Sequence, residues 1–250
     1  MITEYKRPET IDEALKLLGR QSPRTLPLGG GTFLSQHTEG EVAVIDLQSL
    51  GLNLIEKTSS MLEVGAAVTL QALLESHALP AALEKAIHHE AGQNLRSQAS
   101  IAGTIVTSDG RSPLVTALLA VNTRLVWLPG NQEASLGDYL ALRGSWSGGS
   151  LIRSVQIPLN GDLKMEMIAR SPLDRPILAV AVCRWASGRT RVALGGYGKA
   201  AILAMDGPEP VGADLAVRNA YQHADDAWAS SAYRSQVGME IVGRLLAENE

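Results

Sequence analysis

The sequence predicts an α+β protein of at least two lobes, and three observations carry that prediction. Helix-spaced apolar residues and short extended runs follow one another in neither strict β-α-β alternation nor an all-β series. The last third turns helical again after a series of strands. Two runs of small residues, Leu28 to Ser35 and Gln93 to Pro113, lie in the first half and have the make-up of ligand-binding turns.

Along the chain, Thr10-Ile11-Asp12-Glu13 is a capping box, and Ile11, Ala14, Leu15 and Leu18 then share one face of a short helix. Thr25 to Leu28 reads as a brief strand leading into Gly29, Gly30, Gly31, Thr32, Phe33 and Leu34. Val42 to Leu47 reads as a buried strand beyond that loop. Met61 to Val68 is a further strand pattern. Thr69 caps a helix carrying Leu70, Leu73 and Leu74, and Leu79-Pro80 opens the next, through about His89.

The run from Gln93 to Pro113 is the most informative. Thr, Ile and Val around Gly103 suit extended backbone, while Ala102 and Gly103 leave little side chain between a bulky anion and the main-chain N–H groups. Ser112-Pro113 opens the apolar run Leu114 to Leu119 as a hydroxyl cap followed by proline at the first helical position. The positive end of that helix favours an anion nearby. On chemistry alone, a phosphate or pyrophosphate turn and a plain surface loop before a helix both fit. The triple glycine strengthens the first reading. Neither run is a dinucleotide fingerprint or a P-loop, because the glycines are contiguous and Gly198-Lys199-Ala200 lacks the hydroxyl that would hold magnesium.

Further on, Thr123 to Leu128 and Leu151 to Pro158 read as strands, with a connector from about Gly144 to Ser150. Met165 to Ala169 and Ile177 to Trp185 continue the series, with a hairpin turn at Ser187-Gly188. Leu215 to Tyr221 and Tyr233 to Leu246 show helical spacing.

Composition narrows the function. Apolar residues make up 45% of the chain but aromatics only 4%, so the core rests on Leu, Ile, Val and Ala. With 22 Lys and Arg against 26 Asp and Glu, there is neither the basic groove nor the stacking platform that nucleic acid needs as a partner. The lone Cys183 excludes an internal disulfide and any cysteine-rich zinc or iron–sulfur site. It reads as a small buried apolar residue in a protein of a reducing compartment. The N-terminus lacks the apolar core of a signal peptide and no stretch is long enough for a membrane span, so a cytoplasmic location is expected. His88 and His89 point to different sides of one helix and make no metal site. Ser35, His37 and Asp109 lack the nucleophile elbow that a catalytic triad needs, so no catalytic residue is assigned.

Taken together, Tyr5 to Leu18, Leu28 to Leu34, Ile45 to Leu47, Leu62 to Leu73, Leu95 to Leu119 and Arg189 to Gly196 resemble the FAD-binding medium subunit of the molybdenum hydroxylases. These are the flavoprotein subunits of the xanthine dehydrogenase and carbon monoxide dehydrogenase type. Asp225-Asp226 through Ser231-Ala232-Tyr233-Arg234 extends the match into that family's C-terminal domain. The resemblance implies a two-lobed FAD-binding domain of the vanillyl-alcohol oxidase (PCMH) type over 1–160, with lobes of about 1–55 and 56–160. A smaller α/β C-terminal domain over 161–250 would follow.

The family's A-G-G-T-D-L loop aligns with Gly29-Gly30-Gly31-Thr32-Phe33-Leu34, and its T-I-G-G-N loop with Ser100-Ile101-Ala102-Gly103-Thr104. By resemblance, these residues, with Leu28, Ser108 and Asp109, are the cofactor-binding set for FAD and its pyrophosphate. Phe33 replaces an acidic residue, Ala102 a glycine and Thr104 an asparagine, while Gly110 and Pro113 stand where the family commonly has Pro and Asp. Thr104, Ser108, Asp109 and Ser112 are the residues at hand to replace lost hydrogen bonds, each worth about 0.5–1.5 kcal/mol net.

The implied function is an electron-transfer flavoprotein subunit of an oxidoreductase, passing electrons from an iron–sulfur subunit through FAD to an external acceptor. A molybdopterin-binding large subunit and a [2Fe–2S] small subunit are the implied partners. The altered loops leave an alternative, a scaffold subunit of the same type of complex that no longer holds flavin.

Overall fold

Of the three sheets among the described residues the first is parallel, with β3 (Val42–Asp46) between β1 (Ile2–Lys6) and β2 (Thr25–Leu28). Every residue of β3 is buried, as its unbroken apolar run requires of a strand covered on both faces. Helix α1 (Ile11–Leu18) packs Ala14 and Leu18 against it, beside Ile45 and Leu47. Thr10 Oγ1 accepts the Glu13 N–H at 3.3 Å, and Glu13 reaches back to the N–H of Glu9 at 3.2 Å, so the predicted capping box closes one residue early. The computed structural model describes residues 1–35, 40–143, 148–171 and 174–247. His37 and most of the 144–150 connector therefore lie outside the described residues.

The second sheet is antiparallel and takes its strands out of sequence order. It runs β4 (Ile55–Lys57), β5 (Met61–Gly65), β8 (Leu151–Pro158), β6 (Arg124–Leu128) and β7 (Gln132–Ser135). Between β5 and β6 the chain forms α2 (Leu70–Glu75), α3 (Ala81–Glu90), α4 (Gln93–Arg96), α5 (Ile101–Thr107) and α6 (Pro113–Ala120), and α7 (Leu136–Leu142) follows β7. The predicted caps are in place: Thr69 accepts from Ala72 N at 3.1 Å and Ser112 from Val115 N at 3.1 Å.

One expectation is corrected. The residues around Gly103 are helical, not extended: Ser100 caps α5 by accepting the Gly103 N–H at 3.2 Å. Burial of Ile101, Ala102 and Ile105 on one face outweighs the strand propensity of Thr, Ile and Val, an effect of packing that local preference does not contain.

The third sheet, order β12-β11-β10-β9, comprises β9 (Gly161–Ile168), β10 (Leu178–Trp185), β11 (Thr190–Gly195) and β12 (Ile202–Gly207), all antiparallel. In β10 the residues alternate small and large. Ala179, Ala181 and Cys183 join the core that contains α6, while Leu178, Val180 and Val182 meet α8 (Ala213–Tyr221) and α9 (Ser231–Ala247). The small face lets α6, buried at all its positions, lie close against β10 and β11. Cys183 is fully buried and unpaired, and burial pushes its thiol up to about 12, which makes it the inert apolar residue expected.

Arg234 of α9 is fully buried. It donates to both Asp226 oxygens at 2.9 Å, to the carbonyls of Ile177 and Ala229 at 2.8 Å, and to those of Gly196 and Ala224. Burial alone would raise Asp226, but hydrogen bonds from Trp228 N, Arg234 and Ala229 N outweigh it and hold the carboxyl below its usual range. Among the described residues, no helix is long and apolar enough to cross a membrane.

Candidate functional site

The glycine loop leaves β2 at Leu28, and at Gly31 the backbone turns through φ +70°, a conformation that side chains with a Cβ rarely adopt. Gly30 lies against the main chain of Gln98, so close that a Cβ there would overlap the Gln98 carbonyl. A Cβ on Gly29 would stand 2.6 Å from Ser100 Oγ, and one on Gly103 2.9 Å from the same oxygen. Both small-residue runs therefore converge on Ser100. At Gly29 and Gly30 glycine is needed first for loop-to-loop packing.

Where they converge, the surface opens into two adjoining cavities of about 290 and 490 Å³ that share Pro27, Gly29, Phe33, Leu34, Ser100, Gly103 and Thr107. The smaller one is lined on its polar side by Glu90, Thr104, Ser108 and Arg175. The larger is apolar, with Ala102, Val106, Leu151 and Ile152 beside Trp127 and Tyr139, whose ring centroids are 5.4 Å apart. Arg24 and Arg143 line this part as well. The cleft thus joins a polar chamber to an apolar one through a neck of glycine and serine.

Hydrogen bonding divides the work between the two loops. The N–H groups of Gly30, Gly31 and Thr32 donate to no acceptor among the described residues. In the second loop, Ile101 N donates to the Val68 carbonyl at 2.9 Å, Ala102 N to that of Ala66 at 3.4 Å, and Gly103 N to Ser100 Oγ. The first loop thus supplies free main-chain donors, and the second supplies room, through the missing side chain of Gly103.

Arg143, Arg175, Asp109 and Glu90 are already engaged. Arg143 of the apolar chamber donates to the carbonyls of Ile105, at 3.0 Å, and Ser108. Arg175 pairs with Asp109 through both guanidinium nitrogens. Burial would raise Asp109, but Arg175 and the Arg111 N–H, 2.8 Å away, hold it below its usual value. Glu90, at the end of α3, accepts from Ser112 Oγ at 2.7 Å and Leu114 N at 3.1 Å. The positive end of α6, expected from sequence to favour an external anion, is thus occupied by a carboxylate of the chain itself. Burial raises Glu90 despite those two bonds.

Of the residues singled out from sequence, Gly29 to Leu34, Ser100, Ala102, Gly103, Thr104 and Ser108 line the cleft. Leu28, Ile101 and Asp109 are outside that lining; Ile101 is fully buried in the core. Ser112, considered as a replacement donor, is buried and serves as cap and as partner of Glu90. Sequence reasoning did not single out Glu90, Arg175 or the Trp127–Tyr139 wall. Arg175 and the Trp127–Tyr139 wall lie in stretches remote in sequence from both loops, and Glu90, though only three residues before the second run, carries no local motif that marks it.

The residues present fit a diphosphate-bearing flavin: Gly30, Gly31 and Thr32, whose main-chain donors are unpaired among the described residues, line the polar chamber, and Gly103, where a Cβ would enter the neck, lines both chambers. Among solved structures, quinoline 2-oxidoreductase from Pseudomonas putida 86 superposes with a TM-score of 0.80 at 19% identity, covering 98% of this chain and 95% of that one. Reconstituted CO dehydrogenase from Oligotropha carboxidovorans gives a TM-score of 0.80 at 21% identity over 96% and 95% of the two chains. At such identities these likenesses establish the fold. The uncharacterized protein YgfM of Escherichia coli K12 is 29% identical over 99% of this chain and 96% of its own length. Residues 1–160 match the family described as the FAD binding domain in molybdopterin dehydrogenase, and the chain belongs to that family.

Proposed function

We propose that this chain is the FAD-binding electron-transfer subunit of a cytoplasmic, molybdopterin-containing dehydrogenase. It would receive electrons from a [2Fe–2S] small subunit and pass them to an external acceptor, with a molybdopterin-binding large subunit oxidising the substrate. The single observation that carries this reading is the convergence of Gly29–Gly31 and Ser100–Gly103 on one cleft, in a chain of this family. Residues 1–160 would hold the cofactor, and 161–250, with the third sheet, would close the polar chamber from the Arg175 side.

Bound FAD supplies the electron-carrying centre. The chain's own residues do the rest. The N–H groups of Gly30, Gly31 and Thr32 would hold the diphosphate, the gap at Gly103 would admit it, and Trp127, Tyr139, Leu151 and Ile152 offer an apolar wall for a planar ring. Phe33 and Leu34, which line both chambers, would help exclude water from the neck.

The test is thermal unfolding of the purified chain with and without FAD. A ligand that binds only the folded state raises the melting temperature, by about 2.7 kcal/mol of stability at a hundred times its Kd. An unmoved transition at saturating FAD contradicts the reading.

A further inference from the structure

Glu90 ends α3 and lines the polar chamber beside Ala91, Leu95, Ser108 and Arg175. Both of its hydrogen bonds, from Ser112 Oγ at 2.7 Å and Leu114 N at 3.1 Å, go to the same oxygen, Oε2. The other oxygen, Oε1, accepts from no group among the described residues. The cation lining the same chamber, Arg175, gives both terminal nitrogens to Asp109, so among the described residues Glu90 feels its charge without an ion-pair contact. Ser112 caps α6 through the Val115 N–H and Glu90 Oε2 takes the neighbouring Leu114 N–H, so the helix start accounts for Oε2 and leaves Oε1 over. A carboxylate placed in a partly dry chamber at the expense of its hydration, with one oxygen fixed and one unused, is arranged for an incoming donor.

We propose that Oε1 of Glu90 accepts a hydrogen bond from a hydroxyl or ring N–H of the bound FAD, making Glu90 a cofactor-positioning contact in the polar chamber. The inference rests on the cleft being the flavin site. The ribityl chain and the isoalloxazine ring of FAD both carry donors suited to a carboxylate, and a phosphate has none.

Glu90→Gln is the discriminating variant, because the amide oxygen can still accept from Ser112 and Leu114 while the second, unused acceptor becomes a donor. FAD affinity is read by quenching of flavin fluorescence, alongside the absorption spectrum and midpoint potential of the bound flavin. The expected result is binding about ten- to a hundredfold weaker than wild type, the range of a hydrogen bond to a charged group, with melting of the flavin-free protein not lowered. A contact to the ring moves the spectrum and potential as well; a contact to the ribityl chain leaves them in place, and either outcome supports the proposal. Affinity within about twofold of wild type, with an unchanged spectrum and potential, overturns it and leaves the FAD reading intact. A wild-type chain that binds no FAD removes both. A measurement on the unaltered protein guards against misfolding of the variant: bound FAD should shield Glu90 from carbodiimide-coupled amine labelling, read by peptide mass spectrometry. Labelling of Glu90 that FAD does not diminish contradicts the contact.

Discussion

Gly30 and Gln98 meet backbone to backbone, with no room between them for even a methyl group. A side chain at position 30 must push apart the two segments that form the neck of the cleft. Gly30→Ala should therefore lower stability by about 1–3 kcal/mol, as forced overpacking does, and reduce FAD binding with it. Urea unfolding and flavin content measure the two effects; wild-type values of both would contradict the packing described here.

Gly103→Ala separates the roles. Its Cβ meets only Ser100 Oγ, at 2.9 Å, so the capping hydroxyl of α5 must shift, a cost offset in part because position 103 is helical, where alanine is favoured over glycine by up to about 1 kcal/mol. The expected outcome is little loss of stability with a clear loss of FAD affinity, because the methyl group enters the gap. Undiminished affinity would show that the gap is not used.

Arg234 is a buried charge held by Asp226 and carbonyls from four places in the chain. Arg234→Ala leaves those acceptors and the Asp226 carboxylate without their donor and should destabilise the chain by about 3–5 kcal/mol, measured by chemical denaturation. A loss below about 1 kcal/mol, the value of an exposed pair, would contradict its burial.

Glu90 gives a pH signature. Its folded-state value lies above the ordinary 4.5 because burial disfavours the charged form, so the folded chain keeps a proton that the unfolded chain has released. The stability this contributes is complete below the unfolded value and is lost as pH rises through the folded one. Wild type should therefore lose stability relative to Glu90→Gln as pH is raised from 4.5 toward neutrality. A constant difference between the two proteins across that range would contradict the assigned burial.

Much of this was legible in the sequence, and what was not has a common cause. The caps at Thr10, Thr69 and Ser112 are local chemistry, and each forms. The strands read from sequence include the buried, apolar ones, β3, β8 and β10. Those that escaped, β1, β4, β7 and β12, all lie at sheet edges, where one neighbour is missing and burial imposes less pattern on the residues. In the cleft, the glycine runs announced themselves, but α5 was misread because the burial of Ile101 and Ile105 depends on distant partners. Glu90 was invisible for the same reason: its role comes from α6, which begins more than twenty residues later.

The most direct test of the central claim is the flavin stoichiometry of the purified chain after incubation with FAD and removal of the excess. The account predicts a yellow protein that releases close to one FAD per chain on denaturation, with Gly103→Ala much depleted. A colourless wild-type protein that retains no FAD, though folded, would contradict it and favour the scaffold alternative.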